Sequence, residues 1–258
     1  MTLGKILRGL IPQKVHDLLF RLSAARVDDD LKHRYAFGLS MWWSLENLKR
    51  CGFHPATVID IGAFIGDWTK RTRAIWPDAK YLMIEPQPNK QERLRRMCNE
   101  SVFLESVLLG RAPLEAVTFH MDDLGGSSVY EQLQDKSPVT VSLPMQTLDS
   151  VVASRKLDGP ILLKADVQGS ELDVLLGANE TLPKAEVILL EISMLPYNVG
   201  APLFSDVVAF LAERQFLVYD FCWFHRRQSD EAAFQADVLF ARKNSPLRFE
   251  KPFFLPGH

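Results

Sequence analysis

The sequence predicts an α/β domain built on a mostly parallel β-sheet. Short apolar, β-branched runs alternate with segments of helical periodicity between residues 57 and 213. Runs such as AEVILLEIS are apolar at most positions, which is typical of strands that helices cover on both faces. Two long strand-like runs, FLVYDFCWF and QADVLFAR, follow the last helix as a hairpin. Together these patterns predict a sheet of about seven strands with right-handed crossovers and a closing antiparallel hairpin.

The region before this alternation is predicted to be helical. LGKILRGLIPQKVHDLLFRL is basic and amphipathic, so it could contact an anionic membrane surface, although packing on the domain is the simpler interpretation. Its internal charges exclude a signal-peptide core. A further helix, SMWWSLENLKRCGF, is predicted to end at Gly52. We divide the chain into an N-terminal helical extension (1–44), a main domain (45–245) and a C-terminal tail (246–258).

The remaining elements follow in an order that one insertion interrupts. They are the strand ATVIDIG, the helix DWTKRTRAIW ended by Pro77, the strand KYLMIEP, the helix NKQERLRRMCNE, the strand VFLESVLLG, the inserted strands EAVTFHM and VTVSLPM, the helix LDSVVASRKL, the strand GPILLKADV, the helix SELDVLLGANETL, the strand AEVILLEIS and the helix FSDVVAFLAERQ. The inserted strands flank the loop DDLGGSSVYEQLQDKS, which we expect to lie over the ligand site.

Composition narrows the class of partner and the compartment. The chain has 258 residues, 47% of them hydrophobic, which is enough for a substantial core. Its net charge of −2 lacks the basic excess typical of nucleic-acid binding, so we predict no nucleic-acid partner. The three cysteines are scattered, which predicts a reducing, cytoplasmic compartment and neither a disulfide framework nor a cysteine metal cluster.

Ligands of such sheets bind at the carboxyl ends of the strands. Four of the five main strand ends carry a carboxylate, and the third ends near Ser106. The four acids are Asp60, Glu85, Asp166 and Glu191. A recurrence at equivalent positions is difficult to explain as solvated surface, so we expect a ligand site that uses acids.

The first strand end favours one class of cofactor. Gly62 and Gly66 follow Asp60 with the spacing G-x-x-x-G, whereas dinucleotide sites use G-x-G-x-x-G. A pyrophosphate at the next helix N-terminus would be repelled by that carboxylate. S-adenosylmethionine has no phosphate and carries an ammonium, a carboxylate and a sulfonium, so acids are useful near its two cationic groups. We expect the glycines to let the backbone approach the cofactor.

Other residues are expected to complete this cofactor site. Glu85 follows Asp60 at the distance expected of an acid that accepts hydrogen bonds from both ribose hydroxyls. The predicted cofactor-binding set is Asp60, Gly62, Ala63, Phe64, Gly66, Glu85, Pro86, Ser106 and Asp166.

Several motifs resemble the FkbM family of S-adenosylmethionine-dependent methyltransferases. They are TVIDIGAFIGDWT, TLDSVV, ILLKADVQGSELDVLLGA, VILLEIS and ADVLFARKNSPL, and the resemblance covers residues 45–245. It implies a Rossmann-like class I methyltransferase fold and methylation of a hydroxyl, often on a sugar or a polyketide-like natural product. Phe64 stands where the family more often has a small polar residue, commonly Asn, and we expect this to alter the shape of the cofactor pocket.

An alcohol needs a base or a metal ion to act as a nucleophile at neutral pH. Asp166, at the end of the strand nearest the expected methyl group, is the first candidate base. Lys164 is on the same face of that strand and is either a base with a lowered pKa or an ion-pair partner of the acids. Glu191 would orient the acceptor. Asp166 and Glu191 could instead hold a divalent cation, an alternative we do not favour.

Several further residues keep two interpretations. His120 and His225 are alternative bases or packed residues. Ser127, Ser128, Tyr197 and Asn198 lie in loops, where they contact ligand or only form turns. Glu171 is expected to be structural, with Ser170 and Asp173 resembling a helix capping box. Two other functions also stay open: a non-catalytic module that binds S-adenosylmethionine, and an NAD-dependent oxidoreductase, which Asp60 disfavours.

Overall fold

A seven-stranded sheet forms the centre of the computed structural model, in the order β3-β2-β1-β7-β8-β10-β9. Its strands are β1 (Thr57–Ile61), β2 (Lys80–Ile84), β3 (Val102–Glu105), β7 (Ile161–Ala165), β8 (Ala185–Ser193), β9 (Phe216–Arg226) and β10 (Ala233–Arg242). The strands from β3 to β8 in this order are parallel, and β10 is antiparallel to both β8 and β9. This confirms the predicted sheet and its closing hairpin.

The structure describes residues 39–122, 125–133, 139–155 and 157–249. The basic amphipathic segment near the N-terminus and the last residues of the C-terminal tail lie outside these ranges. Within them, no helix combines the length and the apolar character that crossing a membrane requires.

The central strands are buried on both faces, as their apolar runs predict. Every residue of β1 and of β7 is buried. Side chains alternate between the faces, so Ile59 and Leu163 pack in one apolar cluster while Val58 and Leu162 pack in another. Both clusters use helices, which makes three layers with the sheet in the middle.

The helices connect the parallel strands and lie at the two ends of the described chain. They are α1 (Met41–Arg50), α2 (Asp67–Ile75), α3 (Gln91–Arg95), α4 (Leu148–Ala153), α5 (Glu171–Leu176), α6 (Phe204–Glu213) and α7 (Pro246–Phe249). Helix α1 begins after Ser40, whose hydroxyl accepts a hydrogen bond from the Trp43 backbone N–H. It ends just before Gly52, which has a φ of 95° as expected beyond a helix C-terminus.

The predicted strand VFLESVLLG is divided between two sheets. Its first half is β3, and its second half, β4 (Leu108–Leu109), joins the inserted strands β5 (Leu114–Met121) and β6 (Val139–Gln146) in the order β4-β6-β5. The chain leaves the main sheet after Glu105, whose side chain is held by Arg155. Leu108 then pairs with Met145, which moves the chain to the small sheet. The prediction of one continuous strand is therefore wrong, whereas the inserted strand pair is confirmed.

The predicted helix NKQERLRRMCNE is also shorter than its pattern suggests. It consists of a 3₁₀ turn at Pro88–Lys90 followed by α3. The side chain of Asn99 accepts the Ser101 backbone N–H at 2.9 Å, and Asn99 pairs with Val102 in an isolated bridge. This local turn stops the helix and directs the chain into β3.

Candidate active site

A cavity of about 560 Å³ lies at the carboxyl ends of the parallel strands. Main-sheet residues Ile84, Glu85, Asp166 and Glu191 line one side of it. The small sheet closes another side with the apolar side chains of β4 and of Phe119 on β5. The strand-end position is the one predicted for the ligand site. The insertion therefore forms a wall of the cavity, in addition to the covering loop expected from the sequence.

The charge of the cavity disfavours a ligand rich in phosphate. Four carboxylates line it, those of Glu85, Asp122, Asp166 and Glu191. Among the described residues that form the lining there is neither a lysine nor an arginine. A pyrophosphate would therefore meet these acids without a lysine or an arginine to compensate its charge.

The loop after β1 uses its backbone donors within the protein. The N–H groups of Gly62 and Ala63 donate to the carbonyl oxygen of Ile84 at 3.0 and 3.1 Å. The N–H of Phe64 donates to Glu85 Oε2 at 2.8 Å. In a dinucleotide site such donors would face the phosphates instead. The loop therefore holds Glu85 in place and is not arranged as a phosphate cradle.

Glu85 is buried at the cavity wall, with each carboxylate oxygen fixed by one backbone donor. Besides the bond from Phe64, Oε1 accepts the N–H of Gln87 at 2.9 Å. Burial raises the pKa of Glu85, and these backbone hydrogen bonds partly oppose the rise. A carboxylate oxygen accepts more than one hydrogen bond, so the side chain retains capacity toward the cavity. This arrangement suits the predicted contact with two ribose hydroxyls.

The two glycines of the loop are required by contacts within the protein. Gly62 has a φ of 73°, and a Cβ there would overlap the carbonyl oxygen of Asp166. A Cβ at Gly66 would overlap the sulfur of Met97. These contacts within the protein explain both glycines, so the glycines by themselves do not show the predicted close approach of a ligand. Gly62 instead lets the first loop pack against the end of β7.

Asp60 lies beneath the cavity rather than in its lining. Its side chain is 1% exposed, and Oδ2 accepts the hydroxyl of Thr69 at 2.6 Å. Its Oδ1 forms an ion pair with Lys164 Nζ at 3.0 Å. Asp60 is predicted to contact the cofactor, but its own protein partners enclose its carboxylate and keep it out of the cavity lining. Asp60 holds Lys164, which in turn donates a hydrogen bond to the carbonyl oxygen of Gly62 in the loop after β1.

Lys164 is a buried ion-pair partner. Its Nζ also donates to the carbonyl oxygen of Gly62 at 3.0 Å and lies 3.8 Å from Asp166 Oδ2. Burial alone would lower the pKa of Lys164, but the carboxylates of Asp60 and Asp166 outweigh it, so the pKa is raised. A general base would need the opposite shift. Of the two predicted roles, these contacts favour the ion pair.

Gln168 joins two of the predicted catalytic carboxylates. Its Nε2 donates to Asp166 Oδ1 at 2.9 Å and to Glu191 Oε1 at 2.6 Å. Gln168 has a φ of 53°, uncommon for a residue with a side chain, which indicates a locally constrained loop. The sequence analysis missed it, and the only signal is its place in ADVQGSE, directly after the strand.

Asp166 is the carboxylate of this group that is open to the cavity. Its side chain is 37% exposed. Burial of the carboxyl and the nearby charge of Glu191 raise the pKa of Asp166 to about 6, although Lys164 and Gln168 favour the ionised form. At neutral pH the group is mostly ionised and still basic enough to accept a proton.

The closing hairpin adds His225 and Asp237 to the same corner. His225 Nε2 lies 3.1 Å from Glu191 Oε2 and 3.9 Å from Asp237 Oδ2. The hydrogen bond to Glu191 raises the pKa of His225. His225 lines the cavity and His120 does not. Asp237 was not predicted, and its signal was a single carboxylate within the apolar run QADVLFAR.

The model of the methyltransferase FkbM domain matches residues 60–218, more than half of the chain. The chain belongs to the FkbM methyltransferase family. This membership supports a methyltransferase that uses S-adenosylmethionine, and the matched residues include Glu85, Asp166 and Glu191 of the cavity lining. A comparison with curated proteins finds no match.

Three solved structures resemble this FkbM chain at low identity. The methyltransferase FkbM from Methylobacillus flagellatus is 14% identical, with 72% of this chain and 43% of that chain covered and a TM-score of 0.46. The present chain thus spans less than half of that protein. A precorrin-6y C5,15-methyltransferase from Geobacter metallireducens is 13% identical, with 78% and 86% covered and a TM-score of 0.41. LepI, solved in complex with SAM, is 10% identical, with 79% and 47% covered and a TM-score of 0.41.

The remaining predicted cofactor residues of this FkbM domain divide into two groups. Phe64 and Pro86 line the cavity. Phe64 has a φ of 48°, and Lys90 Nζ lies 4.5 Å from the centre of its ring. Ala63, Gly66 and Ser106 are not part of the lining, and the exposed Ser106 donates its hydroxyl to Gln91.

The four candidate loop residues of the FkbM domain also fall into two groups, those that line the cavity and those that do not. Ser127 and Tyr197 line the cavity. Ser128 Oγ and Asn198 Nδ2 instead donate to the carbonyl oxygen of Gln168, at 2.7 and 2.6 Å. These two residues therefore position the loop that carries Gln168.

Glu171 is structural, as its contacts show, but the predicted capping box is wrong. Its Oε1 accepts the N–H of Val167 and its Oε2 the N–H of Gly169, each at 3.0 Å. Ser170 makes no side-chain capping bond. Asp173 is instead held by Arg111 and by the Tyr130 hydroxyl.

The cavity of this FkbM protein has groups that fit S-adenosylmethionine. Glu85 can accept from ribose hydroxyls, and the buried Gln87 Oε1 has no hydrogen-bond partner among the described residues. Gln87 also lines the cavity, so an exocyclic amino group of the cofactor would satisfy this orphaned acceptor. The acids of the lining suit a cofactor that carries cationic groups and no phosphate.

Proposed function

We propose that this FkbM methyltransferase transfers a methyl group to a hydroxyl of a sugar, a glycan precursor or a related natural product. The observation that carries the proposal is Asp166, a carboxylate open to the cavity and oriented by Gln168. A hydroxyl nucleophile requires a proton acceptor of this kind. The class of acceptor follows from the family resemblance and not from the geometry.

Glu85, Gln87 and Phe64 would hold the cofactor. Glu85 would accept hydrogen bonds from the ribose, and Gln87 Oε1 from the adenine amino group. Phe64, in the loop after β1, contributes an apolar surface to the cavity lining. When bound, S-adenosylmethionine supplies an electrophilic methyl group: the acceptor oxygen forms a C–O bond to it while the C–S bond breaks and its electron pair stays on sulfur.

Asp166 would take the hydroxyl proton on its carboxylate as the oxygen loses it. Gln168 Nε2 holds Oδ1 of Asp166, while Oδ2 is 3.8 Å from Lys164, a distance that leaves this oxygen available to the acceptor. Glu191 and Tyr197 line the acceptor side and would orient the hydroxyl. Positioning of this type accounts for about 7–11 kcal/mol of barrier reduction in well-oriented reactions.

The test is a methyl-transfer screen over glycan and glycolipid precursors, following S-adenosylhomocysteine. For an acceptor that turns over, Asp166→Asn should lower kcat by about 10² or more while S-adenosylhomocysteine still binds, because the base is lost and the cofactor contacts remain. With the wild type, the rate should rise with pH through about 6 as Asp166 ionises, because burial and the charge of Glu191 raise its pKa to about 6 against the opposing effects of Lys164 and Gln168.

Asp158→Asn is the matched control for this experiment. Asp158 precedes the opposite end of β7, and its side chain is 78% exposed in an ion pair with Lys80. This variant should turn over like the wild type. Unchanged turnover in Asp166→Asn would show that another group takes the proton. If no acceptor in the screen turns over although the cofactor binds, a non-catalytic binding module becomes the better interpretation.

A further inference from the structure

Three side chains from different strands of the closing region converge beside the cavity, and two of them, Glu191 and His225, line it. Glu191 on β8 pairs directly with Asp237 on β10 in the antiparallel register. His225 on β9 pairs with Gln235, which is two residues before Asp237. Side chains two residues apart on a strand share a face, so all three project from the same side of the sheet.

The distances within this cluster fit one metal ion. The His225 Nε2 atom lies 3.1 Å from Glu191 Oε2 and 3.9 Å from Asp237 Oδ2. One ligand atom from each of the three residues lies within 4.8 Å of the others. Ligands bound at roughly 2.0–2.2 Å from a common ion lie about 3–4 Å apart, so small side-chain adjustments are sufficient.

Asp237 is the second, independent observation. It is 8% exposed, and among the described residues its carboxylate accepts no hydrogen bond and has His225 as its ion-pair contact. A buried carboxylate that accepts no hydrogen bond and whose ion-pair contact is an imidazole 3.9 Å away is poorly compensated. Two acids directly opposite each other on neighbouring strands add repulsion. The neighbouring cation, Lys164, is already paired with Asp60 at 3.0 Å.

We propose that Glu191, His225 and Asp237 bind a divalent first-row transition-metal ion. One imidazole nitrogen with two carboxylate oxygens suits Mn²⁺, Fe²⁺ or Zn²⁺ better than Mg²⁺ or Ca²⁺, which prefer sets of oxygen ligands alone. An ion held by three protein ligands would keep further coordination positions for other ligands, and two of the three, Glu191 and His225, line the cavity. The site differs from the Asp166–Glu191 pair considered from the sequence, because two of its ligands come from the hairpin.

The role of this ion would be to bind the acceptor oxygen and lower the pKa of its hydroxyl. Asp166 lies beside Glu191, joined to it through Gln168, and would take the released proton. This role depends on the proposed function, whereas binding of the ion does not. The two claims therefore have separate measurements.

The test is a titration of the chelator-treated full chain with Mn²⁺, followed by loss of the free-ion electron paramagnetic resonance signal. We expect one Mn²⁺ per chain, displaced by Zn²⁺. Asp237→Asn and His225→Gln should each weaken binding about tenfold or more, because each removes one of three ligands. Mn²⁺ should raise the melting temperature of the wild type and have little effect on that of Asp237→Asn.

The control is Asp220→Asn, which removes another carboxylate of β9. Asp220 accepts the Ser44 hydroxyl at 2.7 Å and does not line the cavity, so this variant should bind Mn²⁺ like the wild type. Absence of Mn²⁺ and Zn²⁺ binding, or equal affinity in all four proteins, would overturn the proposal. Calorimetry with S-adenosylhomocysteine on the same samples separates the outcomes: cofactor binding without metal binding rejects the metal site and leaves the proposed function standing.

Discussion

At the residue scale, the role of each strand-end acid depends on the group beside it. Asp60 and Asp166 both follow buried strands in the sequence, and Lys164 contacts both of them. Asp60 is 3.0 Å from the lysine and fully enclosed, whereas Asp166 is 3.8 Å away and open to the cavity. The sequence predicted that acids recur here, but which acid is exposed depends on side-chain distances that a local pattern does not encode.

Lys164→Met tests the ion-pair role of this lysine. We expect it to lower the free energy of unfolding by about 3 kcal/mol or more, since it leaves Asp60 as an uncompensated buried charge. The double variant with Asp60→Asn should regain part of this loss, because that charge is then absent. Denaturant unfolding measures both. Exposed Lys70→Met should change stability by less than about 0.5 kcal/mol. A stable Lys164→Met protein that binds cofactor without turnover would instead favour a catalytic lysine.

Glu85→Gln tests the predicted ribose contact. The amide keeps the size of the side chain but removes its charge and one acceptor, so S-adenosylhomocysteine should bind about tenfold to a hundredfold more weakly. Glu105→Gln is the matched control, because Glu105 ends the next strand but is held by Arg155 and does not line the cavity. Isothermal calorimetry measures the affinity of both variants for S-adenosylhomocysteine. Equal affinities would show that Glu85 does not contact the cofactor.

At the element scale, the loop between β1 and α2 connects Glu85 to the end of β7. Gly62 packs against the Asp166 backbone, and the N–H of Phe64 holds Glu85. Its glycine spacing was apparent from the sequence. The reason for the glycines was not, because their contacts come from β7 and α3, which are distant in the chain.

Gly62→Ala should destabilise the protein more than Gly52→Ala. Both glycines have positive φ, which costs an alanine about 1–2 kcal/mol. A Cβ at Gly52 meets nothing within 4 Å, whereas one at Gly62 overlaps the backbone of Asp166. We therefore expect a loss of about 1 kcal/mol at Gly52 and clearly more at Gly62. Chemical denaturation compares them, and equal losses would contradict the close packing of the loop on β7.

Other elements show where local patterns are sufficient. The strands of the sheet centre were predicted because burial on both faces selects apolar runs, and these runs are visible in one segment. VFLESVLLG was predicted as one strand because its apolar pattern continues across Ser106. Its division depends on pairing of Leu108 with Met145 and on Arg155 holding Glu105, and both partners lie far along the chain.

At the scale of the whole molecule, the site is assembled from segments that are far apart in sequence. The hairpin brings His225 and Asp237 to Glu191, and the inserted sheet supplies an apolar wall. A single sequence indicates that such a hairpin exists, but it does not give the register that aligns Asp237 with Glu191. For this reason the sequence predicts the acids at parallel strand ends and names His225 as a candidate, but it does not single out Asp237.

The central claim is that this cavity binds a cationic, phosphate-free cofactor. Isothermal calorimetry of the folded chain with S-adenosylmethionine and, separately, with NAD tests it most directly. We predict one S-adenosylmethionine bound per chain and no detectable binding of NAD, because the lining offers acids without a lysine or arginine among the described residues and the N–H groups of Gly62, Ala63 and Phe64 are bonded within the protein. Binding of NAD without binding of S-adenosylmethionine would contradict the claim.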